Sequence, residues 1–125
     1  MQKALDMTLP RFPTYKAAIR KGLFWRYLEP NNRPGPFVQP DINNPCMPMP
    51  FKANNRYLLR VYYHNCRISL EAHHSLGDGT GGMCLLHTLT AQYLRLLGHD
   101  IGVGGFILDI KSEPDPEELE DAYMR

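Results

Sequence analysis

Residues 70–82 join a strand-like segment to a helix-like segment, and they read Leu70-Glu71-Ala72-His73-His74-Ser75-Leu76-Gly77-Asp78-Gly79-Thr80-Gly81-Gly82. This junction contains two histidines, one aspartate and four glycines. A strand end fixes the side chains that follow it, and a helix N-terminus carries unpaired N–H groups and a partial positive charge. We therefore expect the chemistry of the chain to lie here.

The strand pattern before the junction predicts where its histidines point. Apolar residues alternate with polar ones, the apolar set being Ile68, Leu70 and Ala72 and the polar set Arg67, Ser69 and Glu71. A period of two places the two sets on opposite faces of a strand. His73 would continue the polar face and His74 the inward one. Because desolvation disfavours a charged imidazole, we expect His74 to suit the role of a neutral base.

A helix is predicted from Gly79 to Leu97. Its apolar residues recur at spacings of three and four and form a core-facing stripe, namely Met83, Leu86, Leu89, Tyr93 and Leu97. Asp78 occupies the N-cap position, and Gly98 is placed to end the helix. His87 lies one position off the stripe and is interpreted as a structural or surface histidine.

Two hairpins are predicted before this helix. Residues 15–28 form the first, with a turn at Lys21-Gly22, and its Trp25 and Tyr27 are interpreted as packing residues. Residues 56–74 form the second, with a turn at His64-Asn65 because asparagine tolerates positive φ. His64 is therefore interpreted as a turn residue and not as a ligand.

Prolines dominate residues 29–51, which hold seven of the eleven in the chain. Such a segment excludes a helix or a central strand and predicts a long extended connection, although lining of a substrate entrance stays open. Its apolar patch, residues 47–51, could dock onto the sheet. A short helix is expected at residues 2–8, and a glycine-rich segment that becomes strand-like at residues 101–110.

The chain has 125 residues, 43% of them hydrophobic, and a formal net charge of +1. This size predicts one domain, which we place at residues 1–110, followed by an acidic linker or tail at residues 111–125. The balanced charge predicts no affinity for nucleic acid or for a membrane surface. Three cysteines without CxxC spacing favour reduced thiols in a cytoplasmic protein.

His73-His74-Ser75-Leu76-Gly77-Asp78-Gly79 is an HHxxxDG sequence, and it resembles the signature of the coenzyme-A-dependent acyltransferase superfamily. That superfamily includes chloramphenicol acetyltransferases, condensation domains of peptide synthetases and alcohol O-acetyltransferases. Upstream, Arg11-Phe12-Pro13 and residues 22–29 are similar to the bacterial alcohol O-acetyltransferase branch. The resemblance implies an α+β fold, with a mixed or antiparallel sheet and one long helix packed on it, corresponding to the N-terminal half of a chloramphenicol-acetyltransferase-like fold.

The resemblance also implies a reaction. His74 would be the general base that deprotonates an alcohol, which attacks the thioester of acyl-coenzyme A without a covalent enzyme intermediate. Asp78 would be structural and pair with an arginine, with Arg20 and Arg60 both open. Gly79 would be structural by allowing the close turn into the helix, and His73 would be supporting at most. Acyl-coenzyme A is expected as a co-substrate, with no bound cofactor and no metal.

Three rival hypotheses come from other classes of protein. Gly77, Gly79 and Gly82 satisfy GxGxxG, but the amphipathic strand before them disfavours a dinucleotide site. His73 and His74 are adjacent and point to opposite faces of a strand, which disfavours a shared metal. The third rival is a truncated, catalytically inactive fragment or binding module. Members of the superfamily are considerably longer, so a missing second half or a homo-oligomer is expected to complete the site.

Overall fold

A computed structural model describes residues 1–42, 44, 47–48 and 50–119. The helices and strands, in chain order, are α1 (Gln2–Thr8), β1 (Ala17–Lys21), β2 (Arg26–Pro30), β3 (Val38–Pro40), β4 (Leu59–His64), β5 (Arg67–Ala72) and α2 (Gly79–Leu96). Short 3₁₀ turns connect several of them. Two small sheets and one long helix confirm the α+β class, and the second sheet is mixed as expected.

The first hairpin pairs β1 with β2 in antiparallel register, from Ala17 opposite Pro30 to Lys21 opposite Arg26. Its turn is closed by a 2.7 Å hydrogen bond from the N–H of Gly22 to the carbonyl of Trp25. Strand β2 therefore begins at Arg26, after the apolar run that starts at Leu23 in the sequence. Leu23, Phe24 and Trp25 are left 83%, 86% and 64% exposed at the turn. The interpretation of Trp25 and Tyr27 as core or sheet packing residues is wrong for core packing, because both side chains are exposed. Tyr27 does lie in the sheet, opposite Arg20.

The second sheet has the order β3-β4-β5, with β3 parallel to β4 and β5 antiparallel to it. Strand β3 lies within the proline-rich segment, and its edge position is one that proline tolerates. His64 pairs with Arg67, so the turn between β4 and β5 is formed by Asn65 and Cys66, one residue later than predicted. Asn65 adopts the expected positive φ, at 49°.

The apolar patch of the proline-rich segment, predicted to dock onto the sheet, contacts strand β4 at one end and the core at the other. The carbonyl of Met47 accepts a 2.8 Å hydrogen bond from Arg60 on β4. Phe51 packs against the buried core. Met49, between them, lies outside the described residues.

Helix α2 packs against α1 and β5. Its buried residues are Leu85, Thr88, Leu89, Ala91 and Gln92. The predicted stripe is therefore correct at Leu89 but wrong at its ends, since Met83 is 42% and Leu97 58% exposed. Sequence spacing identified the helix, whereas the position of α1 decides which of its faces is buried.

Gly98 ends α2 as predicted, with φ at 95° and a hydrogen bond of 3.1 Å from His99 N–H to the Leu94 carbonyl. Beyond it, the strand predicted within residues 101–110 is wrong. The described segment has a single isolated bridge, between Gly104 and Ile107. The backbone N–H of each of these two residues donates to the carbonyl of the other, which closes a tight turn instead of a strand pair.

The described part of the acidic tail contacts the body of the protein. Glu118, in a 3₁₀ turn at Pro116–Leu119, accepts two hydrogen bonds from the buried Arg11, at 2.6 and 2.9 Å. Arg11 also donates to the Ser112 hydroxyl at 3.1 Å. The boundary placed after residue 110 stays a prediction. Within the described ranges, none of the helices has the length and apolar character that a membrane span needs.

Candidate functional site

The HHxxxDG motif begins where β5 ends. The backbone N–H of His73 donates to the carbonyl of Leu58 at 2.8 Å, which extends the strand ladder one step past Ala72. The Nδ1 atom of His73 then accepts from the N–H of Ser75 at 3.3 Å and lies 2.8 Å from its hydroxyl. His73 thereby caps the 3₁₀ turn at His74–Leu76.

His74 lies in that 3₁₀ turn and is exposed. The prediction that it occupies the inward face of the strand is wrong. Strand β5 ends at Ala72, which is already exposed, and His74 lies in the turn that follows it with its side chain in solvent. To the described residues, the His74 ring makes no hydrogen bond or ion pair. The histidine is therefore accessible to a substrate or to a second protein surface.

Asp78 is the N-cap of α2, as predicted. Its Oδ1 atom accepts a 2.8 Å hydrogen bond from the N–H of Gly81, and it satisfies one of the unpaired donors of the first turn.

The prediction that Asp78 pairs with an arginine is wrong for both candidates, Arg20 and Arg60. The Arg20 guanidinium binds Glu29, and the Arg60 guanidinium binds Glu71. Asp78 forms no ion pair with any cation of the described residues. Its structural role here is the helix cap.

Two glycines of the motif region, other than the one predicted, pack closely against a buried tyrosine. A Cβ atom at Gly77 or Gly81 would lie 3.0 Å from the hydroxyl oxygen of Tyr15, whereas one at Gly79 would meet nothing within 4 Å. The role predicted for Gly79 is therefore not needed in this geometry. Burial raises the pKa of Tyr15, and the nearby Asp78 carboxylate adds to the rise. Sequence reasoning missed Tyr15, because its distance from the motif along the chain carries no signal.

Two cavities lined by described residues lie away from His74. An apolar cleft of about 490 Å³ runs between β5 and α2, and its lining includes Ile68, Leu86, His87 and Ile107. A second groove, of about 600 Å³, is bordered by β1, by Arg26 at the start of β2 and by residues 51–56. His74 contributes to neither cavity. His87 is exposed and meets Phe106 edge to face at 5.5 Å, which confirms its interpretation as a surface histidine.

The described cysteines, Cys66 and Cys84, are free thiols, as expected for them; Cys46 lies outside the described residues. Burial raises the pKa of the Cys84 thiol.

Strand β5 is antiparallel to β4 and lies at the edge of its sheet. The glycines at residues 77–82 therefore lack the central parallel strand that a dinucleotide site follows.

Among residues 1–42, 44, 47–48 and 50–119, no three histidine, cysteine or acidic side chains are grouped as metal ligands would be.

Comparisons with known proteins add no family to this geometry. No family model matches the chain, and no curated protein or solved structure matches it. The resemblance to coenzyme-A-dependent acyltransferases therefore rests on HHxxxDG and on the upstream residues.

Proposed function

We propose that the chain supplies one half of an acyltransferase site, which transfers an acyl group from acyl-coenzyme A to an alcohol. The observation that carries this proposal is a complete HHxxxDG at the junction of β5 and α2, with Asp78 capping the helix and His74 free to meet a substrate. The fold would correspond to the N-terminal half of a chloramphenicol-acetyltransferase-like enzyme.

In this proposal His74 takes the proton from the acceptor hydroxyl. The alcohol oxygen forms a bond to the thioester carbonyl carbon, and the carbon–sulfur bond breaks as the tetrahedral intermediate collapses. The leaving thiolate of coenzyme A takes up the proton held by the imidazole. General-base assistance of this kind contributes about 10²- to 10⁴-fold to rate. His73 would act by holding the turn that carries His74, through its contact with Ser75.

The exposure of His74 supports a site that needs a second surface. A solvent-facing imidazole is not screened from water, and exclusion of water strengthens the electrostatic interactions that stabilise a transition state. A second half of the polypeptide or another copy of the chain would cover the motif. Acyl-coenzyme A and a small alcohol are the proposed ligands. We expect neither nucleic acid nor a membrane as a partner, and we propose a cytoplasmic location.

The same exposure favours a second candidate. A truncated, inactive fragment or binding module would keep the fold and the motif without a cavity around His74. Such a chain would have a folded β5–α2 junction and no turnover. The acyltransferase and the inactive fragment would share every feature of the described fold, so only a measurement of activity distinguishes them.

Thiol release from acetyl-coenzyme A, followed with and without a simple alcohol, separates these candidates. We expect acceptor-dependent release that His74→Ala abolishes. His64→Ala is the matched control, because His64 is also exposed and lies at the far end of the same hairpin. Release that is equal in the wild type and in His74→Ala would leave the inactive fragment as the account of this chain. Native mass, measured in parallel, tests whether an active species is a homo-oligomer.

A further inference from the structure

The groove of about 600 Å³ between the first hairpin and residues 51–56 is strongly basic. Its lining consists of Ile19, Arg20, Lys21, Arg26, Phe51, Lys52 and Arg56. Five of these seven residues are cations and none is acidic, although the net charge of the whole chain is only +1. The positive charge is therefore concentrated locally, together with two apolar side chains, Ile19 and Phe51.

Most of these cations have no carboxylate partner. Arg20 binds Glu29. The other four form no ion pair with the described residues. Lys21 and Arg26 are also directly opposite each other in the β1–β2 ladder. Like charges in that position destabilise a hairpin. An anion bound between them would remove the repulsion.

The opposite wall of the groove is held in a fixed shape. Arg56 has φ at 65° and Asn55 has φ at 50°, in the left-handed region that residues other than glycine rarely adopt. The N–H of Arg56 donates to the Phe51 carbonyl at 2.6 Å, and the Asn55 side chain donates to the Gly35 carbonyl at 3.0 Å. The side chain of Asn31, itself buried, donates to the Asn55 carbonyl at 2.9 Å. These bonds impose a strained backbone that presents Arg56 to the groove.

The groove lies at the same end of the β4–β5 hairpin as the motif. Arg56 precedes Leu58 by two residues, and the Leu58 carbonyl accepts from the N–H of His73. Two residues of chain span at most about 7 Å. The groove and the turn that carries His74 are therefore neighbours at this end of the hairpin.

We propose that this groove binds the phosphate groups of the acyl-coenzyme A co-substrate, which rests on the proposed function. Lysine and arginine form charge-assisted hydrogen bonds to phosphate oxygens, and arginine does so in bidentate geometry. The pantetheine arm separates the phosphates of coenzyme A from its thioester, so one molecule can reach from the groove toward His74. Lys21, Arg26, Lys52 and Arg56 are the phosphate-binding residues.

Calorimetric titration without an acceptor tests the groove independently of turnover. The probes are coenzyme A, dephospho-coenzyme A, which lacks the 3′-phosphate, and pantetheine, which has no phosphate. We expect affinity to fall in that order, and Lys52→Glu to weaken coenzyme A binding about tenfold or more. Lys111→Glu, an exposed charge reversal in the C-terminal segment, is the matched control and should change affinity less than about twofold.

Lys21→Gln adds a readout that a merely structural lysine would not produce. Removing one of two opposed like charges should raise the resistance of the chain to urea, while coenzyme A binding weakens. Equal binding of pantetheine and coenzyme A, or equal losses in Lys52→Glu and Lys111→Glu, would overturn the proposal. Binding to phosphatidylserine vesicles without binding to coenzyme A would also overturn it, in favour of a lipid source of phosphate.

The outcomes separate this proposal from acyl transfer itself. Phosphate-dependent binding of coenzyme A without thiol release would support the groove and contradict the proposed function. His74-dependent release with an unchanged KM for acetyl-coenzyme A in Lys52→Glu would support the function and overturn the groove.

Discussion

The hydroxyl of Tyr15 lies against the backbone of Gly81, where a Cβ atom would be 3.0 Å from the phenol oxygen. Tyr15 is 3% exposed, so its ring has little freedom to withdraw. The same oxygen would be 3.0 Å from a Cβ at Gly77. A tyrosine from the first part of the chain therefore sets how closely the motif turn and the first turn of α2 approach the core.

Gly81→Ala should destabilise the fold through this contact. The added methyl overlaps the Tyr15 hydroxyl, and overpacking of a filled core costs about 1–3 kcal/mol. Gly79→Ala is the matched control, because it also lies in the first turn of α2 and its Cβ meets nothing within 4 Å. Urea unfolding should show Gly79→Ala unchanged or more stable by up to about 1 kcal/mol, as alanine is the better helix former.

Tyr15→Phe checks the cause of that difference. Removing the hydroxyl opens the space for the methyl at residue 81, so Gly81→Ala should cost less in the Tyr15→Phe background than alone. An unchanged cost in the two backgrounds would contradict the contact with Tyr15.

Asp78→Ala should cost about 1 kcal/mol of unfolding free energy, because the N–H of Gly81 loses its acceptor. Asp78→Asn keeps a side-chain oxygen that caps a helix well and should stay close to the wild type. The comparison distinguishes a cap from an ion pair, since an arginine partner would make the loss of charge costly. Asparagine as destabilising as alanine in thermal or urea unfolding would therefore contradict the capping role.

Glu118→Gln should make stability less dependent on pH in the acid range. A hydrogen bond from Arg11 lowers the pKa of Glu118. The pair therefore contributes stability above the ordinary glutamate pKa of about 4.3, and the contribution is lost as pH falls through the lowered pKa. At pH 7 the variant should lose up to about 1 kcal/mol, because Glu118 is partly exposed.

Urea midpoints of the wild type and Glu118→Gln, measured from pH 7 down to strongly acidic pH, should converge at the acid end. Glu117→Gln is the control, since Glu117 is exposed and forms no ion pair with the described residues. Midpoints that differ by the same amount at every pH would rule out the Arg11 pair as the cause.

Local patterns in the sequence predicted where the helices and hairpins lie better than they predicted which faces of those elements are buried. Both hairpins, the N-terminal helix and α2 follow from periodicity, from Asp78 as a cap and from Gly98 as a stop. The buried face of α2 could not be predicted in the same way. Leu85 is buried and Met83 is exposed. Which face of α2 is buried depends on how α1 and β5 pack against it, and those contacts leave no mark in the spacing of apolar residues.

The sequence located the HHxxxDG motif at the junction of β5 and α2 but did not predict the surroundings of its residues. Ile68 and Leu70 of β5 pack against the core, but Ser69 and Glu71 are also half-buried and Ala72 is already exposed, so the inward face predicted to include His74 ends before it. The N–H of Ser75 then donates to Nδ1 of His73 and holds a 3₁₀ turn. Asp78 is a cap without an arginine because Arg20 and Arg60 have nearer carboxylates across their own strand pairs, Glu29 and Glu71. Cross-strand pairing decides these partners, and its register becomes known only with the fold.

Formation of the ester itself is the most direct test of the central claim. The chain is incubated with acetyl-coenzyme A labelled in the acetyl group and with a simple alcohol, and the labelled ester is measured over a range of protein concentrations. The account predicts that labelled ester forms with the wild type and with His64→Ala and is lost in His74→Ala. Its yield per protein molecule should rise with concentration where a second copy completes the site. Labelled ester from His74→Ala at the wild-type rate, or none from the wild type at any concentration, would contradict His74 as the base of an acyltransferase built by this chain.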